Sequence, residues 1–376
     1  MAVQDLHRFF MTAQQTNVIE RWNNKPNLLP ETVAAHSFLV SVIAWGLAAS
    51  SRCRGEPVEL VEVLKRALAH DLHEVITGDI LAPTKRAART MRRAVDQLER
   101  RAGRELVRLL PRGVREQIEP YVIRPMDGSR EADYVETADL CAACLKAWLE
   151  VSMGNQFHRA NLNPIRRLLQ ASPIEEVHQL LWELEVYADS VDNGPSLAGF
   201  VRYLFTLYYV KRWNNLPCLA PKSVAAHSHL VALIAWVLAE TENALHGGSL
   251  PVHDVIGRAL LLEAPKAVTG DILYHSKTAS KAMERGVEIA RAKAARELSE
   301  ALPEALRPAI APYLEPLGDA AAEQLVDDAS LIAGFLEAAM EVRLGNSYFR
   351  PILVNLLERL ETPFVSTRQG FEAVRD

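Results

Sequence analysis

The residues with the most chemical capacity in this chain lie in the run His70-Asp71-Leu72-His73-Glu74. Neighbouring residues on a helix point about 100° apart, so His70 and Asp71 can both reach one ion at the helix edge. Glu74 is four residues from His70 and three from Asp71, and shares their face. A nitrogen ligand, an oxygen ligand and a carboxylate that can handle protons are the parts of a water-activating metal site. Two more candidates lie elsewhere. His36 has Val40 and Ile43 one and two turns along its face, and Asp139 interrupts the small, apolar stretch 138–149. A carboxylate buried there needs a partner, and a metal is one. Singly, each residue has a plainer reading. A lone His on an apolar face is more often a core histidine, Asp139 can cap a helix or pair with an arginine, and His-Asp is a common dipeptide.

The elements that must position these residues read as helices. Residues 33–49 and 58–76 carry apolar side chains at helical spacing, the second running into Gly78 as a C-cap region with Pro83 beyond as a stop. Residues 85–110 read as a long charged helix ending at Pro111, and 133–153 as a mostly apolar one. His36 is expected on an amphipathic helix. No stretch sustains strand alternation, so the fold class is all-α.

The chain is written twice. Arg21-Trp22-Asn23-Asn24 recurs as Arg212-Trp213-Asn214-Asn215, Val33-Ala34-Ala35-His36-Ser37 as Val224-Ala225-Ala226-His227-Ser228, and Gly154-Asn155 as Gly345-Asn346, all at an offset of 191. Thr77-Gly78-Asp79-Ile80 recurs as Thr269-Gly270-Asp271-Ile272 at an offset of 192. Residues 21–48 and 212–239 share 19 identities in 28 positions. A period this long means a duplicated domain rather than a solenoid. Domains 1–192 and 193–376 are expected, with the junction near Asp192-Asn193-Gly194-Pro195.

Bulk properties narrow the function. Hydrophobic residues make up 49% and charged residues 24%, enough for buried cores, and the net charge of -5 gives no bulk attraction to nucleic acid or an anionic membrane. The basic run 85–108 is interleaved with Asp96, Glu99 and Glu105, which favours a solvated face over a nucleic-acid patch. If it lies over the metal site, it can steer polyphosphates. The four cysteines form no framework; Cys141 and Cys144 lack a second pair and read as core. Residues 1–20 lack the basic start and apolar stretch of a secretory signal, and no window is apolar without interruption for a membrane span. A cytoplasmic protein without membrane or nucleic-acid partners is expected.

The order Arg21-Trp22, His36, His70-Asp71-x-x-Glu74-x-x-Thr77-Gly78-Asp79, Asp139 resembles the HD-domain metal phosphohydrolases, in particular the YfbR-like 5'-deoxynucleotidases, over residues 5–190. The resemblance implies a helical bundle that holds one divalent ion through His36, His70, Asp71 and Asp139. Mixed His/Asp ligation does not choose between manganese, cobalt, zinc and iron. It implies that Glu74 positions or deprotonates the attacking water and that Arg21 holds the phosphate. Trp22 would wall the sugar, and Thr77 and Asp79 would touch the nucleotide; Lys85 joins the substrate contacts. A guanidinium fork suits phosphate, and an apolar ring at C2' leaves a ribose hydroxyl unpartnered. Two features depart from the pattern. Ala35 stands where many relatives carry an acid before the first His, and His73, inside the run, is expected to be exposed or hydrogen-bonded rather than a ligand.

In the second copy His227 matches His36, but Leu262 replaces His70, Glu263 Asp71, Lys266 Glu74 and Ser330 Asp139. No metal and no catalysis are expected there. Arg212, Trp213, Thr269, Asp271 and Lys277 match first-copy residues. They suit either a scaffold, the chain supplying its own partner as an internal pseudo-dimer of tandem HD bundles, or a regulatory nucleotide site, with Lys266 favouring an anion. The expected activity is hydrolysis of a deoxynucleoside 5'-monophosphate. Its alternatives are a deoxynucleotide triphosphohydrolase and, in another class, a nucleotide-sensing or scaffold protein.

Overall fold

The computed structural model describes residues 3–186 and 194–359, with 362, 364, 365, 367 and 368. It is all-α: among the described residues the only β pairings are two isolated bridges, Glu20 with Thr32 and Lys211 with Ser223. The chain divides into two compact units, Met1–Asp192 and Asn193–Asp376. The expected junction falls partly outside the described residues, at Asp192 and Asn193.

The first unit contains α1 Val3–Ala13, α2 Val33–Cys53, α3 Leu60–Ala69, α4 Glu74–Thr77, α5 Ala82–Arg86, α6 Arg89–Val107, α7 Arg112–Ile123, α8 Arg130–Ser152, α9 Arg159–Gln170 and α10 Glu175–Val186. Helix α2 starts where the Thr32 hydroxyl accepts the Ala35 amide, and α8 where Ser129 does the same for Ala132. Helices α3 and α8 both pack on α2. It is buried on every side rather than amphipathic, because its polar residues are small or capped: the Ser41 hydroxyl donates to the Ser37 carbonyl. Helices α2 and its second-unit counterpart are apolar and long enough to cross a membrane, yet 94% and 100% of those windows lie buried inside the bundles. They are core helices.

Two expected helices are broken. Residues 58–76 stop being α-helical at Ala69, and His70–His73 forms tight turns in which Leu72 N–H bonds Ala69 O and Glu74 N–H bonds Asp71 O. The apolar spacing survives because Leu72 still points into the core. The charged run 85–110 likewise divides between α5 and α6. Pro83 opens α5 rather than stopping a helix, since proline suits the first turn, where its missing N–H costs nothing. Gly78 does cap α4, with φ 68° and its N–H on the Glu74 carbonyl at 2.8 Å.

The second unit repeats this plan. It contains α11 Leu197–Phe205, α12 Val224–Leu245, α13 Val252–Leu261, α14 Lys266–Thr269, α15 Tyr274–Lys277, α16 Lys281–Ala301, α17 Arg307–Ile310, α18 Ala320–Arg343 and α19 Arg350–Glu358. Helix α12 is the buried centre, packed by α13 and α18. All four cysteines are free thiols, with Cys141 and Cys144 buried in α8 as expected.

Candidate metal centre and its degenerate copy

Four chain segments meet at the end of α3. The turn after α3 brings His70 and Asp71, the buried start of α2 brings His36, the middle of α8 brings Asp139, and the loop before α2 brings Arg21. Ligand atoms of His36, His70 and Asp71 lie within 4.8 Å of one another. His36 Nε2 is 2.9 Å from Asp139 Oδ1 and 4.0 Å from Asp71 Oδ2; His70 Nε2 is 3.2 Å from that same Asp71 oxygen. His70 Nδ1 meets the Ala67 carbonyl at 2.8 Å, which orients the ring from behind and turns a buried Nε2 towards Asp71. Two imidazole nitrogens and the Asp71 oxygen form a donor set that suits a divalent ion, and Asp139 lies outside that set, against His36.

Electrostatics follow from burial. Burial would raise the Asp71 carboxyl, but His70, Arg21 and His36 outweigh it and hold Asp71 well below the usual carboxylate range. Burial, with the Asp71 charge beside it, pushes Glu74 well above the ordinary carboxylate range, which makes it a stronger base than a free carboxylate. Glu74 Oε2 is buried and makes no hydrogen bond. Burial and Arg21 oppose charge on His36, but the hydrogen bond to Asp139 and the Glu31 carboxylate nearby push it up to about 9. Arg21 lies 2.8 Å from Asp71, 3.8 Å from Asp139 and 3.5 Å from Glu31.

Two cavities open from this point, and Asp139 faces both. One, about 470 Å³, is walled by Arg21, Trp22, Asp79 and apolar side chains that include Leu140 and Ile165. The other, about 520 Å³, is walled by His70, Asp71, His73, Lys85, Arg92 and Glu99. The charged helix α6 thus borders the centre. Lys85 is tied to Glu99 at 2.8 Å. The Thr77 hydroxyl is turned onto the backbone carbonyl of Gly78 at 3.0 Å and lines neither cavity. His73 is buried rather than exposed, its Nε2 in long contact with Glu99 at 3.5 Å, because the turn folds it under α6.

Sequence reasoning missed Glu31. It is 1% exposed, accepts the Trp22 indole N–H at 2.9 Å and lies 3.8 Å from His36 Nδ1. It brings a buried carboxylate to the cluster from four residues upstream of Ala35. Trp22 has φ 59° and Trp213 φ 55°, the only non-glycine residues in the left-handed region among those described. A bulky side chain there costs roughly 1–2 kcal/mol, so both indoles are held against strain. The Trp22 ring also packs on His158, centroids 5.2 Å apart.

The second copy keeps the framework around a different centre. Glu337 accepts from Arg212 at 2.9 Å and from the Trp213 indole at 3.1 Å, and lies 2.9 Å from His227. Lys266 sits between Glu263 at 2.9 Å and Asp271 at 2.7 Å. Its charge is therefore taken up within the protein. The Thr269 hydroxyl bonds the Gly270 carbonyl. Burial and Arg212 hold His227 below its ordinary value, the opposite of His36, with Glu337 opposing them. No other cluster of three ligating side chains occurs among the described residues.

Helical bundle, His/Asp cluster and adjoining cavity define the class: a helical phosphohydrolase of the HD type. The family described as 5'-deoxynucleotidase YfbR-like matches twice, over residues 8–185 and 199–371. A 5'-deoxynucleotidase of Vibrio vulnificus is 31% identical over 41% of this chain and 79% of its own length. One from Pasteurella multocida is 27% identical over 47% and 91%, and 5'-deoxynucleotidase YfbR of Escherichia coli 28% over 48% and 90%. The chain belongs to the YfbR-like 5'-deoxynucleotidase family and is an enzyme of the hydrolase class.

Proposed function

We propose that the first unit hydrolyses a deoxynucleoside 5'-monophosphate to the deoxynucleoside and inorganic phosphate, and that the second unit does not catalyse. The observation that carries this reading is the cluster of His36, His70 and Asp71, with Asp139 against His36, at the mouth of a cavity walled by Arg21 and Trp22. These four residues would hold one divalent ion, which supplies charge to the phosphate oxygens and acidifies water. Arg21 binds the phosphoryl oxygens as a fork, exchanging its contacts with Asp71 and Asp139 for the substrate. Glu74 accepts a proton from the attacking water at its unpartnered Oε2. The new bond is from water oxygen to phosphorus; the bond that breaks is from phosphorus to the 5'-oxygen, which leaves with the proton that Glu74 took from the water. Trp22 walls the sugar and Asp79 faces the nucleoside in the first cavity. The apolar indole offers a 2'-hydroxyl no partner, a penalty of about 1–3 kcal/mol.

One observation favours a second reading. Lys85, Arg92 and Arg100 line the adjoining cavity, large enough for a polyphosphate, so a deoxynucleoside triphosphate releasing triphosphate also fits. Product analysis separates the two. The purified chain is incubated with manganese or cobalt and with ribo- and deoxynucleoside mono- and triphosphates, with His70→Ala as control. Orthophosphate from deoxymonophosphates alone, abolished in the variant, is the expected result. Intact triphosphate from deoxytriphosphates would replace the favoured reading, and no turnover of any nucleotide would leave the chain a nucleotide-sensing or scaffold protein.

A further inference from the structure

In the first copy the positions around the centre are Asp71, Glu74, Asp79, Lys85 and Glu99: four carboxylates and one lysine. Their counterparts are Glu263, Lys266, Asp271, Lys277 and Arg291: two carboxylates and three cations. At these five positions the formal charge has moved from negative to positive, while Asp96 and its counterpart Glu288 keep theirs. The register is secure there, because Val95, Ala102 and Leu106 of α6 recur as Val287, Ala294 and Leu298 of α16.

Neutralising the two remaining carboxylates explains only one of the new cations. Lys266 alone reaches both Glu263 and Asp271. Lys277 and Arg291 line the same cavity, and among the described residues neither has a carboxylate within ion-pair distance. Arg291 is anchored by one N–H on the Leu262 carbonyl at 2.6 Å, which keeps its guanidinium at the cavity wall. The one other acid at the wall, Glu288, is exposed. With Lys266 held by Glu263 and Asp271, Lys277 and Arg291 remain as two cations facing one small space, and an anion between them would relieve their repulsion. Burial, then Lys266, hold the Lys277 ammonium below its ordinary value, with Glu263 and Asp271 opposing them. The space is about 130 Å³, against about 470 and 520 Å³ in the first copy. It admits a phosphate group and leaves any attached nucleoside outside.

We propose that the second copy binds a phosphate group in this cavity, between Lys277 and Arg291 with Lys266 behind them. The site is distinct from the first centre and does not depend on which nucleotide the first centre hydrolyses. The same chemistry serves free orthophosphate, the expected product of the first centre, or the phosphate of a nucleoside monophosphate.

The test uses the full-length chain carrying Arg21→Ala and His70→Ala, so that the first centre neither holds phosphate nor turns over. Inorganic phosphate and a deoxynucleoside 5'-monophosphate are titrated separately by calorimetry at constant ionic strength. One equivalent per chain is expected to bind at about millimolar or tighter, and adding Lys277→Gln with Arg291→Gln should weaken it about tenfold or more. Equal affinity for the two anions assigns free phosphate; about tenfold tighter nucleotide assigns the nucleotide's phosphate. Saturation by neither anion below about 10 mM, or binding unaltered by the double substitution, overturns the proposal. Should the double variant not fold, Lys277→Gln alone is expected to weaken binding about threefold, and unaltered binding there overturns it equally.

Discussion

In the first copy a buried carboxylate reaches the Arg-Trp-His cluster from the loop before α2; in the second it reaches the same cluster from the middle of α18. Glu31 and Lys146 occupy these two places in the first copy, and Lys222 and Glu337 the same two in the second. The pair has exchanged signs, and all four side chains are buried. In each copy the carboxylate binds the tryptophan indole, lies beside the arginine and faces the histidine. The difference separates two kinds of constraint. A buried guanidinium needs one carboxylate nearby, whichever segment supplies it. A metal needs its own donors, and three of the four positions that offer them in the first copy have changed in the second.

The sharpest test of that separation is the metal itself. Full-length protein is expected to bind one divalent ion per chain, read by elemental analysis after dialysis. Asp71→Ala should remove it and lower turnover roughly a thousandfold or more. Glu263→Ala should leave stoichiometry and turnover as they are. Two ions per chain, or a loss of turnover from Glu263→Ala, would break the comparison. Next in size is the exchanged pair. Glu31→Lys alone leaves Arg21 and two lysines buried without that carboxylate, and should destabilise the first unit by about 3–5 kcal/mol. Adding Lys146→Glu recreates the second copy's arrangement and should recover most of this in a denaturation double-mutant cycle. No recovery would mean that the exchanged signs are not equivalent.

That exchange shows where reading the sequence runs out. Positions 31 and 146 are 115 residues apart, and only the fold tells that Lys222 and Glu337 answer them as a pair. The duplication, the helices and the ligand candidates were legible, because motif identity and apolar spacing are local properties. The break at His70–His73 was hidden, since Leu72 keeps the helical pattern running through the turn. All-round burial of α2 was hidden too, because periodicity reports one apolar face and not how many neighbours cover a helix of small residues. Lys266, expected from its sequence position to favour an anion, is instead paired with Glu263 and Asp271, contacts that local sequence does not reveal.

A smaller effect compares the carboxylates that hold the loops. Glu150 accepts from the Leu28 and Leu29 amides, Asn155 and Lys146. Glu341 accepts from Leu219, Ala220 and Asn346, with no lysine one turn away. Burial would raise Glu150, but Lys146 and the amides hold it down at about 2. A depressed carboxyl contributes stability above its unfolded value, near 4.5, and loses it as pH falls through the folded one. Between about pH 4.5 and 2 the first unit should lose about 1–2 kcal/mol through this group, part of the shift being screened by solvent. Glu150→Gln should flatten that stretch of the melting curve against pH. A slope equal to the parent's would remove Glu150 as its source.

The smallest effect concerns the two strained tryptophans. Both sit at positive φ with the indole N–H on a carboxylate, so strain alone does not mark a substrate wall; it is shared by a copy without the metal ligands. What differs is what the ring faces. Trp22 lines a cavity of about 470 Å³ beside the metal centre, and Trp213 borders none of the cavities described above. Trp22→Ala should therefore reduce the preference for deoxy- over ribonucleoside monophosphates about tenfold, read as the ratio of kcat/KM values, while Trp213→Ala leaves that ratio unchanged. Each substitution keeps a Cβ in the left-handed region and removes one indole hydrogen bond, so their stability changes should be alike. Matching stability changes with unlike specificity would separate the indole's role in the fold from its role at the sugar. An equal shift in the ratio from both variants would show that it acts through the fold alone.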